Sequence, residues 1–393
     1  MKTVLILDAN TRSALAVTRS LGKHGVKVFT ADESVSSLSG SSRYSRRYFQ
    51  HPSARTEADR FISAINEICL KHQIDILIPV TELTSGLLLV SRKLFEKTIL
   101  PFAELETVNA LANKCNLTSL ARSLDIPIPL TLEMNAGVVP DKALSSREFP
   151  QVLKPGLSWL KTDNGWIHTS VHVPGSKDEA IQLIKEDSAF QDHNYLLQDY
   201  VAGHGEGIFA IYNHGEQIAF FAHRRLREKP PDGGVSVLSE SVELNPILLK
   251  YAKKILDHVG WHGIAMVEFR VDDENIYLME VNTRFWGSLQ LAIDSGLDFP
   301  WLLYQIACGE KVGKNNEYKK GKRLRWLFGD IKWLFLVLKD KNWSFGQKLK
   351  AVISFFTPHP FITRFEVNRW SDLKPFYWEI LRNISKIINR NAS

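Results

Sequence analysis

The sequence predicts an α/β and α+β protein in three parts. These are a parallel-sheet domain over residues 1–104, a mixed body over 105–312 and a basic, aromatic-rich helical region over 313–393. Strand-like and helix-like runs alternate through the first hundred residues, the rhythm of a parallel sheet covered by helices. From Asn194 onward, apolar runs separated by glycine-bearing turns follow one another as antiparallel strands do. Residues 313–393 hold seventeen Lys and Arg against six Asp and Glu, and five of the ten tryptophans, so charge sets the tail apart from a mildly acidic body.

In the first part, "TVLILDA" reads as a buried strand, "TRSALAVTRSLGKHG" as a helix ending at a glycine and "VKVFTAD" as a second strand. "ADRFISAINEICLKHQ" gives another helix and "IDILIPVTE" another strand. The first turn, "DANTRSA", has no glycine, so a dinucleotide fingerprint is absent. Asn10, Thr11, Arg12, Thr81 and Glu82 stand at strand ends, where such sheets bind ligands; the same positions suit helix caps.

In the body, "VNALANKCNLTSLARSLDIPIP" reads as one helix closed by Pro127 and Pro129, with "FPQVLKPG" a short strand ending in Lys154. "NYLLQDYVAGHGEGIFAIYNHGEQIAFFAHRR" reads as successive strands turning at "AGHGEG" and "NHGE". Asn245, Pro246 and Gly260 cap, open and close a core helix between them.

Three widely spaced cysteines, Cys69, Cys115 and Cys308, form no CxxC and indicate neither a zinc knuckle nor a disulfide framework. No apolar stretch approaches the roughly 18–20 residues of a membrane span, and "MKTVLILDAN" does not resemble a signal peptide. A reducing, cytoplasmic setting is expected. In the tail, "KKGKRLRWLFGDIKWLFLVLKDKNW" places Leu324, Leu327, Phe328, Ile331, Leu334, Phe335 and Leu338 at helical spacing beside basic residues. That pattern suits a helix packed on the body or on a second copy, and also peripheral contact with an anionic membrane.

The chemistry concentrates in "GIAMVEFRVDDENIYLMEVNTRFWGS". Two short strands around a turn centred near Glu274 set Glu268 opposite Glu280, and alternation adds Asn282 and Arg284 to the same face. Facing carboxylates repel, and a proton, a bridging base or a divalent cation relieves them. Two carboxylates and an amide oxygen make a hard-oxygen site suited to Mg²⁺ with phosphate oxygens completing it. A solvated surface hairpin is the plain alternative. Upstream, Lys114 opens a helix, where a cation is unfavourable unless an anion is near, and Lys154 ends an apolar strand.

This ordered series resembles the ATP-grasp superfamily, and most closely its carboxylate–amine ligase branch, from the first strand to about residue 312. The resemblance implies a Rossmann-like N-terminal domain and an ATP-grasp fold of two α+β subdomains, the smaller a lid over about 150–200. It implies that Lys114 and Lys154 hold the α- and β-phosphates of ATP, that Gln198, Asp199 and Val201 read adenine, and that Glu206 meets the ribose. Glu268, Glu280 and Asn282 would hold Mg²⁺, or Mn²⁺ in its place, and Arg284 would stabilise the transferring phosphate. The implied reaction makes an acyl phosphate from a carboxylic acid, then an amide with an amine (or a thioester with a thiol), releasing ADP and phosphate.

The chain departs from the family in "KPGLSWLKTDNGWIHTS", which has only Gly156 and Gly165 where relatives carry a glycine-rich loop. "HRRLREKPPDGGVSVLSES" is the expected acid-binding segment, with His223, Arg224 and Arg225 ending a strand and Gly233, Gly234 and Ser236 in an amide-rich turn. A non-catalytic ATP-binding scaffold and an ATP-dependent carboxylase are the alternatives. The intact metal constellation disfavours the first and the absence of a carrier-lysine motif the second. The expected partners are small carboxylic acids and amines, with no nucleic acid; a homodimer is compatible with the sequence.

Overall fold

The computed structural model describes residues 1–231, 234–272, 275–357 and 362–391. Strands β1 (Val4–Ile6), β2 (Val28–Asp32), β3 (Ser45–Gln50) and β4 (Ile76–Ile78) form a parallel sheet in the order β3-β2-β1-β4. β1, β2 and β4 are buried along their whole length, as strands covered on both faces must be. β3 was not expected from the sequence. It is an edge strand whose Arg46 and Arg47 are exposed, so it lacks the apolar signature of its neighbours.

Helices α1 (Arg12–Lys23) and α2 (Ala58–His72) connect strands, and α3 (Glu82–Val90) follows β4. The Thr11 and Thr81 side chains cap α1 and α3 by accepting from the Ala14 and Thr84 amides. Asp8 accepts from the Val80 and Thr81 amides and the Thr84 hydroxyl, tying together the loops after β1 and β4.

The single helix expected from Val108 to the stop at Pro127 and Pro129 is two, α4 (Leu105–Ala112) and α5 (Lys114–Ser123). Asn113 interrupts them with an extended backbone, and its side chain accepts from the Cys115 and Asn116 amides, restarting the helix at Lys114.

The small unit follows. β5 (Thr131–Met134), helix α6 (Asp141–Ser145) and β6 (Gln151–Pro155) precede a hairpin of β7 (Trp159–Thr162) and β8 (Gly165–His168). Helices α7 (Lys177–Glu186) and α8 (Ser188–Gln191) then lead to β9 (Tyr195–Asp199). β5, β9 and β6 form an antiparallel sheet on which Leu144, Ala180, Ile184 and Phe190 pack over Leu153, Tyr195 and Leu197, a core of its own. The sheet recruits Thr131–Met134, so this unit starts before residue 150.

The β7–β8 hairpin docks on the N-terminal domain. The Trp166 amide donates to the Arg55 carbonyl at 2.8 Å, and Arg55 Nε donates back to the Trp166 carbonyl at 3.0 Å. A Cβ on Gly165 would lie 2.3 Å from the Arg55 oxygen, and φ there is +107°, so a side chain is excluded twice over.

The large sheet takes β10 (His204–Asn213), β11 (Glu216–Lys229), β12 (Val235–Ser241), β13 (Gly263–Val271) and β14 (Ile276–Asn282). Helices α9 (Pro246–His258), α10 (Leu289–Ser295) and α11 (Phe299–Ala307) belong to the same body, whose core is continuous with that of the N-terminal sheet.

The C-terminal region is helical but not only so. β15 (Arg323–Arg325) and, beyond it, β16 (Thr363–Phe365) extend the body sheet to the order β14-β13-β10-β11-β12-β15-β16. Leu324, expected on a helix, is therefore a buried strand residue.

Helices α12 (Leu327–Lys339), α13 (Phe345–Phe356) and α14 (Lys374–Asn391) complete the chain. In α12 the buried face is Asp330, Trp333 and Val337, while Ile331, Phe335 and Leu338 of the expected apolar stripe are exposed. A buried charge decides this. Asp330, with no exposed surface, receives Arg227 at 2.7 Å and Arg325 at 2.6 Å, and Arg227 lies over the Trp333 ring.

The region also grips the N-terminal domain through the buried Arg19–Asp372 pair at 2.9 Å. Packing on the body is thus the arrangement found. Among the described residues no helix is long and apolar enough to cross a membrane.

Candidate active site

β13 and β14 pair with Glu268 opposite Glu280, as the symmetric turn requires; Asp273 and Glu274 of that turn lie outside the described residues. The register contains a shift that the symmetry argument did not foresee. Phe269 pairs with Leu278, so Met279 is an extra residue on β14. Without it Leu278 would share the face of Glu280; with it Leu278 and Val281 both reach the core, at 3% and 5% exposure. The bulge lets one strand serve the core at two positions and still present Glu280 and Asn282 to the cavity.

Asn282 Nδ2 donates to Glu280 Oε1 at 2.9 Å and to Glu268 Oε1 at 3.2 Å, bridging the carboxylates. Arg225 of β11 donates to Glu268 Oε2 at 2.9 Å and to Glu228 at 2.9 Å. β10 separates β11 from β13, and Gly207 is the residue paired with Glu268 there. A Cβ on neighbouring Gly205 would meet nothing within 4 Å. Gly205 therefore leaves the surface of β10 open, while at Gly207 the Phe209 and Met266 side chains take the space of a Cβ, and the arginine reaches across the strand.

Burial drives the Glu268 carboxyl up to about 7, with the charge of Glu280 adding to it and Arg225 opposing. Burial also works against ionised Glu280, yet Lys114, Asn282, Lys154 and Arg284 together hold it below the usual carboxylate range. One carboxyl of the facing pair carries the charge readily and the other resists it.

Lys154 is 7% exposed, and burial lowers it to about 8 while Glu280 pulls the other way. Its Nζ donates to Gln198 Oε1 at 2.7 Å, and Gln198 Nε2 donates to Thr131 at 2.8 Å. Lys114 Nζ lies 3.3 Å from Ser158 Oγ. The structure thus brings Lys114, Lys154, Glu268, Glu280, Asn282 and Arg284 together, although they come from four separate elements and the loop after β14.

At the expected hinge, the Gln198 side chain is buried against Lys154 and the Asp199 carboxylate is engaged by Arg147 at 2.5 Å. Among the described residues the Val201 amide donates to nothing, which leaves a backbone donor for a ligand.

Two expectations are corrected. Glu206 sits within β10 rather than in a mobile turn, paired with Arg224 and hydrogen-bonded to His204 at 2.9 Å. Alternation turns it to the face opposite Gly205 and Gly207, away from the carboxylate pair. Arg224 shares that other face and is held by Glu240 at 2.6 Å. β11 runs on to Lys229, so His223, Arg224 and Arg225 are mid-strand residues, not a strand end.

His223 and Arg225 face a cavity of about 450 Å³ together with Gly234, Ser236, Glu268 and Arg284; Gly233 lies outside the described residues. His223 is buried, donates or accepts at Ser288 Oγ across 2.8 Å, and is held to about 3 by burial and by Arg225, so it is neutral.

The N-terminal candidates divide. Thr11 and Thr81 cap helices, and Asn10 braces Asp32 and Ser34. Arg12 lines the cavity, stacked 4.1 Å over Trp326 and paired with the buried Glu366. Trp326 and Glu366 had no local signature as site residues, since both belong to the C-terminal region and bear on the cavity through Arg12. Glu82 lines a different cleft.

Among the described residues no three His, Cys, Asp or Glu side chains cluster as a metal site. The hard-oxygen set is two carboxylates and an amide, incomplete without oxygens from a ligand.

Residues 191–329 match the family described as ATP-grasp in the biosynthetic pathway with Ter operon. No curated protein matches the chain in sequence. Among solved structures, a biotin carboxylase from Campylobacter jejuni in a β-γ-ATP complex is similar with a TM-score of 0.65 at 15% identity, covering 82% of this chain and 74% of that one. An L-amino acid ligase from Bacillus licheniformis gives 0.60 at 17% identity, covering 79% and 75%. An N5-carboxyaminoimidazole synthetase from Staphylococcus aureus complexed with ADP gives 0.62 at 15%, covering 82% and 80%. At such identities the likeness is one of fold. The chain thus has the fold of these ATP-grasp structures, and its residues 191–329 match an ATP-grasp family.

Proposed function

We propose that the protein is an ATP- and Mg²⁺-dependent ligase that activates a carboxylic acid as its acyl phosphate and passes the acyl group to an amine. The observation that supports this most is the meeting of Glu268, Glu280, Asn282 and Arg284 on one cavity wall, with Lys114 and Lys154 close enough to act on the Glu280 charge. Facing carboxylates bridged by an amide, with cations around one of them, suit a cation and a polyphosphate arriving together.

Lys114 and Lys154 take the charge of the bound phosphates, and Val201 offers its amide to the base. Glu268, Glu280 and Asn282 would hold Mg²⁺, and Mn²⁺ suits the same oxygen set. A half-turn of the Asn282 amide puts Oδ1 where Nδ2 now faces the carboxylates. The metal would supply charge neutralisation at the phosphate oxygens.

Arg225 and Arg12 flank the opening where a substrate carboxylate is drawn in, and neutral His223 adds no competing charge. One carboxylate oxygen attacks the γ-phosphorus as the bond to the β-phosphate oxygen breaks, releasing ADP. The amine nitrogen then attacks the acyl carbon, phosphate leaves with the bridging oxygen, and the nitrogen sheds a proton. Arg284 is placed for the charge that passes between oxygens in the first step.

Incubation with ATP, Mg²⁺, hydroxylamine and pooled carboxylic acids, with bicarbonate as a separate arm, tests this. A hydroxamate with ADP and phosphate is expected. ADP formation with bicarbonate alone would mark a carboxylase, and AMP with pyrophosphate would overturn the reading because the α-phosphorus would be the one attacked.

A further inference from the structure

A second cleft, of about 580 Å³, lies between the docked β7–β8 hairpin and the N-terminal domain. Trp159 and Trp166 line it from the hairpin, and Leu83 and Leu87 from α3. Thr283, 8% exposed and flanked in sequence by Asn282 and Arg284, lines it too, so the cleft approaches the end of the metal-binding strand.

α3 supplies its polar features. Glu82, Ser85 and Gly86 stand at i, i+3 and i+4 and share one side of the helix. Ser85 is 7% exposed and its Oγ has no hydrogen-bond partner, a buried polar atom that a ligand would satisfy. Glu82 makes no hydrogen bond or ion pair among the described residues, and neither do the Asp59 and Asp163 carboxylates that also line the cleft. Lys161 and Arg55 are the cations present, and Arg55 is committed to the Trp166 carbonyl.

Charge sorts the two openings. The first cavity carries Arg12, Arg225 and Arg284 beside Glu268 and Glu280, so once a cation neutralises those carboxylates it suits an anion; this cleft has aromatic walls and carboxylates that no described residue pairs. We infer that it binds the amine substrate, a primary ammonium on an apolar body, with Glu82 and Ser85 Oγ receiving the ammonium and Trp159 and Trp166 enclosing the body. This assignment rests on the ligase reading, since only a second, amine-bearing substrate gives the cleft a role in the reaction.

The test uses the full chain and two probes, 2-phenylethylamine and its uncharged analogue 2-phenylethanol, with binding followed by calorimetry. A Cβ on Gly86 would meet nothing within 4 Å, so Gly86→Leu fills the cleft without disturbing α3. The amine is expected to bind the wild type at least about tenfold more tightly than the alcohol, the worth of a charge-assisted hydrogen bond. Glu82→Gln should bring the two probes level, and Gly86→Leu should abolish binding of both. ATP binding, which uses other residues, should be unchanged in either variant.

No binding of the amine to wild type, equal binding of amine and alcohol, or undiminished binding to Gly86→Leu would each overturn the inference. Hydroxamate formation needs neither Glu82 nor Gly86. Its loss in the wild type would refute the ligase reading, whereas its retention beside failed probe binding would refute only the cleft.

Discussion

If Lys154 holds a nucleotide phosphate, as the proposed function has it, its burial should make nucleotide affinity depend on pH. Its fall from 10.5 to about 8 means that carrying the charge costs on the order of 3 kcal/mol more in the folded protein than in water. Burial is the main cause, and no acid in direct contact offsets it; the neighbour at 2.7 Å is the neutral amide of Gln198.

A nucleotide phosphate beside this amine favours its charged form, so the bound protein keeps the proton to higher pH than the free one. Affinity for ATP is therefore expected to be full well below pH 8 and to fall as pH rises through it. With a value of about 8 the lysine is about nine-tenths protonated at pH 7 and one-tenth at pH 9, which predicts a roughly tenfold loss of affinity between them. Binding at pH 8 should take up about half a proton. Calorimetry of ATP binding in buffers of different ionisation heat measures both quantities. Lys154→Met should bind weakly at every pH and show neither effect. A flat affinity between pH 7 and 9, or the same pH dependence in Lys154→Met, would refute the reasoning.

Three further outcomes are expected. Glu280→Gln should abolish hydroxamate formation; because Glu280 lies among Lys114, Lys154 and Arg284, it should also shift the pH fall of ATP affinity downward, and near-normal turnover would remove it from the site. Arg284→Ala should lower kcat by ~10²–10⁴-fold and raise the KM for ATP far less, as befits a cation acting on the transferring group; a larger effect on KM would make it a binding residue. Asp330→Ala leaves Arg227 and Arg325 buried without their carboxylate and should cost ~3–5 kcal/mol in urea unfolding, with a loss below ~1 kcal/mol showing that water or other groups replace it.

Much of this protein is local in origin and therefore legible in its residues. The parallel strands announce themselves because burial on both faces demands unbroken apolar runs, and α9 because cap, proline and glycine bracket it. The pairing of Glu268 with Glu280 follows from two strands and one turn, although the Met279 bulge that makes it compatible with the core does not.

What required the tertiary structure is everything that depends on distant residues. The docked face of α12 is set by arginines from β11 and β15, so its own apolar stripe misleads. Glu206 and Arg224 carry the right chemistry, but strand alternation within β10 and β11 turns them away from the cavity. Arg12 is aimed by Glu366 and Trp326, hundreds of positions later, and the aromatic cleft exists only because the hairpin after Lys154 closes on Arg55. Sequence periodicity reports what one element buries; which charges meet across elements is decided when the chain folds.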